Sequence, residues 1–181
     1  QQEEDSESRT SLSSGNILWA DGDAIRLVNQ TNTANSDVFT LTGGKGTTNG
    51  TFEGNDIGTG AKNALYPASI YTSVAGDGTF TLTLPATQNY AAETFGANAN
   101  PMVAKSDGTN TLQFKNLCGA IRFQLTGTAT ITSIKIETVS EKIAGAATVS
   151  MAYSDVPALA VTGTTILTLS NINVALNAVT A

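Results

Sequence analysis

The 181-residue chain carries 9 Lys and Arg against 15 Asp and Glu, a formal net charge of −6 at pH 7. Apolar residues at 40% and charged residues at 13% exclude a disordered composition, and the acidity excludes the basic footprint that nucleic acids and anionic membrane surfaces require. With no histidine and a single cysteine, Cys118, the chain has no intrachain disulfide and no histidine base for a reactive thiol.

Residues 1–8 hold Glu3, Glu4, Asp5 and Glu7 and read as a solvated acidic lead or tether. Arg9 follows, the only basic residue before Arg26, and a short strand is expected from Thr10 to Leu12. Two apolar runs, residues 17–20 and 24–28, flank an Asp21-Gly22 turn, the pattern of a hairpin or tight corner. Trp19, the sole tryptophan, is expected in the core. Asp21 and Asp23 invite a calcium reading, but no later carboxylate stands at the spacing of an ion loop, so turn chemistry is the expectation and no metal site is assigned.

Residues 38–41 and 51–54 read as short strands around the glycine-rich loop 43–50. That loop contains Lys45 but lacks the strand–loop–helix order of a phosphate cradle. Residues 64–71 are apolar and aromatic around Pro67, which suits a strand end or edge. Phe80, Leu82 and Leu84 alternate on one face, and residues 101–104 make another short strand.

The strongest period-2 signal lies at residues 117–125. Leu117, Ile121, Phe123 and Leu125 share one expected face, with Arg122 and Gln124 on the other. Ile134 and Ile136 alternate again. Two long strands pairing as a hairpin are therefore expected at the centre of the fold, with those four apolar residues buried and Cys118 a buried small hydrophobe. Strands at 143–151, 158–161 and 165–169 follow. The alternation of Ile172, Val174 and Leu176 then reaches the end of the sequence without a polar tail, as expected where a longer chain is cut at a domain boundary. Short strands with turn signals every 8–12 residues, and no long helical stripe, predict an all-β sandwich.

The order of motifs carries a resemblance. Arg9-Thr10 is followed by Trp19-x-x-Gly22-Asp23-x-Ile25, Phe52-x-Gly54 and Ala64-Leu65-Tyr66-Pro67-Ala68. Then come Leu84-Pro85-x-x-Gln88, Pro101-Met102-Val103-Ala104 and Leu112-x-Phe114-Lys115-Asn116-Leu117-Cys118-Gly119-Ala120-Ile121-x-Phe123. Ile131-x-Ser133-Ile134-x-Ile136 and Ile143-Ala144-Gly145 complete the set. Over residues 9–176 this succession resembles the N-terminal domain of the fimbrillin-like proteins, the type V pilus subunits and related surface lipoproteins of anaerobic Gram-negative bacteria.

The resemblance implies a transthyretin-like Greek-key sandwich of mostly antiparallel strands over residues 9–181, with a second β-domain beyond. It implies a non-catalytic structural or adhesive subunit, without cofactor, at the cell surface, held to the outer membrane only through a lipidated cysteine upstream of residues 1–8. Its partners are other pilin subunits, joined by donor-strand exchange, and host or bacterial surface ligands. Arg9 matches the arginine after which a trypsin-like protease cuts in pilus-forming members, releasing the first strand so that a neighbour's strand fills the groove. An ordinary surface arginine is the other reading of Arg9.

Two other classes stay open. A carbohydrate-binding sandwich would use exposed aromatics, for which Tyr66, Tyr71, Tyr90 and Phe95 are the candidates, although the apolar neighbours of Tyr66 point to the core. An enzyme would need an acid/base pair, and the scattered carboxylates suggest none in sequence.

Overall fold

The computed structural model describes residues 11–13, 16–91, 94–96, 98–106, 110–121, 123–150, 157–172 and 174–175. Arg9 and the acidic lead lie outside these residues. The first described elements, β1 (Ser11–Ser13) and β2 (Asn16–Leu18), form a two-stranded ribbon of their own, with Leu12 opposite Ile17. The chain then turns at Asp21-Gly22, closed by the Asp23 N–H donating to the Ala20 carbonyl. The runs flanking that turn do not pair with each other, so the Asp-Gly signal marks a tight corner rather than a hairpin.

The corner leads into a six-stranded antiparallel sheet. Its members are β3 (Ala24–Asn29), β4 (Ser36–Gly43), β5 (Thr51–Glu53), β6 (Lys62–Tyr66), β10 (Met102–Lys105) and β11 (Lys115–Asn116), in spatial order β11-β10-β6-β3-β4-β5. Alternate residues of its central strands face opposite ways, and both faces are buried. Val28, Leu65 and Val103 face one apolar cluster, while Ile25, Leu27, Ala64, Tyr66, Met102 and Ala104 face another. Burial on both sides explains the near-continuous apolar runs of these strands. Pro67, bonded to Tyr66 through a cis peptide, stands just past the end of β6, a central strand rather than an edge.

The first cluster is shared with a four-stranded antiparallel sheet of β7 (Tyr71–Val74), β8 (Phe80–Leu84), β14 (Gly145–Ser150) and β15 (Ala158–Val161), in order β15-β14-β8-β7. Phe80, Leu82 and Leu84 all point into it, as their alternation predicts, together with Ala147 and Val149. The protein is therefore all-β, with antiparallel sheets packed face to face in a sandwich-like arrangement. Arg26 adds a polar tie between the layers. Its guanidinium carbon lies 4.6 Å from the centre of the Tyr71 ring, and its Nη2 donates to Ser36 Oγ.

Three strands continue past the sandwich into a smaller sheet. β9 (Thr87–Asn89) extends the line of β8, β13 (Ile134–Glu137) precedes β14, and β16 (Ile166–Ser170) follows β15, in order β13-β16-β9. Strand β16 is antiparallel to β13 and parallel to β9. Between the two sheets the β13–β14 and β15–β16 segments exchange places, and they cross where Gly145 meets Gly163. A Cβ at Gly163 would lie 2.2 Å from the Ala144 oxygen and 2.6 Å from Gly145 Cα, so only glycine fits the crossing. A last ribbon joins β12 (Thr130–Ile131) to β17 (Val174–Ala175).

One end of the six-stranded sheet is closed by polar side chains. Asn29 is 3% exposed. Its Nδ2 donates to the carbonyls of Ile57 and Thr59, and its Oδ1 accepts from the Thr31 N–H and hydroxyl and from the Asn32 N–H. Gln30 Nε2 donates to Asn63 Oδ1, and Ser106 exchanges hydrogen bonds with the backbone of Lys62. The Lys62 ammonium sits between the carbonyls of Gly58 and Gly60, at 2.6 and 2.7 Å.

The expected central hairpin is not formed. β13 pairs with β16, and no described residue of 117–126 belongs to a strand. Leu117 is half-buried against the sandwich core, but Ile121 is 69% exposed, Phe123 45% and Leu125 47%. Cys118 is exposed rather than buried. Gln124 is exposed like these apolar neighbours, so the expected division into a buried and an outer face is not seen, and Arg122 lies outside the described residues. The physical reason is competition for surface. One face of the six-stranded sheet is covered by the four-stranded sheet and the other by aromatic side chains, so neither face of that sheet is left to cover the segment.

Candidate functional site

The aromatic side chains are the first place to look for a recognition surface, and the fold uses most of them internally. Trp19 is buried, and its ring meets Phe52, Tyr66 and Phe114 edge-on at centroid distances of 4.9, 5.4 and 5.5 Å. The glycine-rich loop 43–50 is strapped over it: the Trp19 N–H donates to the Thr47 carbonyl, and the Gly46 N–H donates to the Trp19 carbonyl. Tyr66 is 2% exposed, and Tyr71 lies between Arg26 and the Phe80 ring. Of the four carbohydrate candidates only Tyr90 is exposed, and Phe95 is half-buried. Tyr66 and Tyr71 are thus withdrawn from any sugar platform.

The acidic pair of the Asp-Gly corner is split by the fold. Asp21 stays on the surface, its Oδ2 3.0 Å from Lys45 Nζ. Asp23 is fully buried, accepting from the Ala20 N–H at one oxygen and from the Tyr66 hydroxyl at the other, both at 2.7 Å. Asp23 is a cap on the corner and an anchor for Tyr66, and Lys45 neutralises Asp21. Among the described residues no group of three or more His, Cys, Asp and Glu side chains converges. An open polar cleft of ≈ 380 Å³ lies between residues 34–37 and 55–57. Its two carboxylates are both engaged: Asp37 accepts from the Asn55 N–H and Asp56 from the Gly58 N–H. Hydrogen bonds from the Val38 and Asn55 N–H groups hold the Asp37 carboxyl below its ordinary pKa.

The surface feature that has no internal use is the segment after β11. Strand β11 is the edge of the six-stranded sheet, paired with β10 on one side only. The Leu117 N–H extends that pairing to the Pro101 carbonyl, and there it stops. From residue 118 to 126 no described residue joins a ladder, while Ile121, Phe123 and Leu125 present large apolar side chains to water. Three exposed apolar residues at a spacing of two, on unpaired backbone, offer both elements of strand recognition: free N–H and C=O groups, and alternate side chains for pockets. Beside them Cys118 is exposed, with desolvation of its sulfur by neighbouring atoms raising the thiol pKa.

The first strand is placed differently from the expectation that it packs inside the sandwich. β1 pairs with β2 alone and adds to neither large sheet. Its described residues, Ser11–Ser13, follow Arg9 in the chain and stay attached after a cut there.

The sequence identified the strip by its alternation but assigned it to the core. The signal that separates the two cases is the other face: Arg122, Gln124 and Thr126 supply little for a second covered face. No family model, curated protein or solved structure is similar enough to this chain to count as a match.

Proposed function

We propose that this chain is a non-catalytic structural or adhesive subunit of a bacterial surface fimbria, assembling with other subunits by β-strand addition. The observation that carries this reading is the unpaired, apolar-alternating segment 118–126 at the edge of the six-stranded sheet. Strand addition draws affinity from backbone hydrogen bonds and register from alternate side chains, and this segment has both unsatisfied. The ordered motifs shared with fimbrillin-like N-terminal domains give the same direction. That resemblance is what supports a subunit at the outer membrane or in the fimbria itself, with a lipid anchor on an upstream cysteine and pilin subunits as partners.

Arg9 is the proposed processing site. Cleavage there removes residues 1–9, with the four acidic side chains Glu3, Glu4, Asp5 and Glu7 and their repulsion. The test treats the folded chain with an arginine-specific protease and follows the product by negative-stain electron microscopy and light scattering. Cleavage after Arg9 followed by fibre growth is the expected result. A cleaved chain that stays as small particles at high concentration would defeat the fimbrial reading.

A further inference from the structure

We infer that Asn49 is a site of spontaneous modification, where the chain converts its own Asn49–Gly50 link into aspartyl and isoaspartyl forms and slackens the strap over Trp19. The sequence holds a single Asn-Gly pair, at 49–50. Such pairs ordinarily occupy the centre of a hairpin turn. This one does not. The turn after β4 is closed by the Thr47 N–H donating to the Gly44 carbonyl at 3.1 Å, which puts Lys45 and Gly46 at its centre. Asn49 and Gly50 follow the turn and lie just before β5, and both are exposed.

Packing dictates the glycine. A Cβ on Gly50 would lie 2.8 Å from Leu41 Cδ1, 2.8 Å from Phe52 Cε2 and 2.9 Å from Trp19 Cδ1, so a side chain there would push into the aromatic cluster. The same missing Cβ leaves the Gly50 nitrogen unhindered towards the Asn49 side chain. Among the described residues no group bonds the Gly50 N–H or the Asn49 carboxamide. The described Asp-Gly pairs are held instead. Asp21 is tied to Lys45 Nζ at 3.0 Å. Asp77 Oδ1 accepts from the Thr79 N–H, and the Gly78 N–H donates to the Ala75 carbonyl.

Thr47 primes the reaction. Its hydroxyl accepts the Asn49 N–H at 3.2 Å and donates to the Asn49 carbonyl at 2.8 Å, with the Gly44 carbonyl 2.9 Å away. When the Gly50 N–H gives its proton to solvent hydroxide, the negative charge is shared with the Asn49 carbonyl oxygen. A hydrogen bond to that charged form favours it. The nitrogen then attacks Cγ of Asn49. A new N–Cγ bond closes a cyclic imide, the Cγ–Nδ2 bond breaks, and Nδ2 takes a proton from water and leaves as ammonia. Water opens the ring at either carbonyl. One opening gives aspartate. The other gives isoaspartate, whose main chain runs through Cβ and is one carbon longer. Each product carries a new carboxylate, and the longer chain lies in the loop that grips Trp19 through the Thr47 carbonyl and the Gly46 N–H.

This modification does not rest on the fimbrial reading. The test incubates the folded, uncleaved chain in mildly alkaline buffer at physiological temperature. Peptide mapping by mass spectrometry follows the amide-to-acid change, and enzymatic methylation measures isoaspartate. Conversion is expected first at Asn49, with a shift in Trp19 emission that grows in step with it. Asn49→Gln is expected to keep the emission constant over the same period. Thr47→Val is expected to slow conversion about tenfold, the weight of one hydrogen bond to a charged group, while Thr47→Ser keeps the native rate. Near-ultraviolet circular dichroism of the Trp19 cluster before incubation checks that each variant is folded. A chain that keeps Asn49 intact, conversion that begins at another asparagine, an equal or faster rate in Thr47→Val, or a converted chain with unchanged Trp19 emission would each overturn the inference.

Discussion

Two ends of the six-stranded sheet treat their backbone in opposite ways. At the Asn29 end, loops 29–35 and 57–63 are held by side chains that leave almost nothing unsatisfied: Asn29 alone makes five hydrogen bonds, and Gln30, Lys62 and Ser106 complete the clasp. At the β11 edge, a segment with the best strand pattern in the chain makes no ladder and shows three large apolar side chains to water. The polar loops are the rigid part and the apolar segment is the uncommitted part. Polarity is therefore a poor guide to order in this fold. What orders a segment is whether its hydrogen-bonding groups find partners, and the loops found them in side chains where the strip found none in a neighbouring strand.

The largest effect that would test this contrast is at Asn29. Asn29→Ala strips two donors and three acceptor contacts from a buried site, leaving the Ile57 and Thr59 carbonyls without their partner. A loss of about 3 kcal/mol is expected from urea unfolding, with an unchanged slope. A loss below about 0.5 kcal/mol would mean that the clasp is ornamental. At the other end, Leu125→Thr is expected to change stability by less than about 0.5 kcal/mol when measured on dilute protein. Were Leu125 a core residue, as its alternation alone implies, truncation would cost about 2–5 kcal/mol. The two variants together decide whether the contrast holds.

The smallest effect concerns pH. The folded-state pKa of Asp37 is depressed, chiefly by the Val38 and then the Asn55 N–H groups, so its contribution is present above the unfolded-state pKa and lost as pH falls through the folded value. Asp77 behaves likewise through the Thr79 N–H. Acid should therefore loosen these loops before it touches the strip. Asp37→Asn should flatten the acid limb of stability slightly, a change visible as a smaller loss of melting temperature between neutral pH and pH 3. An unchanged limb would remove Asp37 from the account.

Much of the sandwich was legible because its strands carry their own instruction. Phe80, Leu82 and Leu84 alternate and are buried together; Trp19 is a core anchor; residues 101–104, 158–161 and 165–169 mark strands to within a residue or two. The strip was misread for a reason that sequence cannot supply. Alternation says that one face wants cover, but not whether any surface remains to provide it, and here both faces of the large sheet were already taken. Cys118 was misplaced with it. The split of Asp21 from Asp23 was equally hidden, since nothing in an Asp-x-Asp spacing says which carboxylate Tyr66 will reach.

Lys62 has a consequence for the surroundings in which this fold keeps its shape. Converging carbonyl oxygens need donors or a cation between them, and where a dissolved ion fills that place the loop depends on its supply. In loop 57–61 the cation is carried on a tether, as an ammonium group held by Gly58 and Gly60 and supplied by the first residue of the next strand. Chelators have nothing to extract there, and changes in dissolved calcium or potassium have nothing to add. Mineral supply has no hold on this corner of the protein.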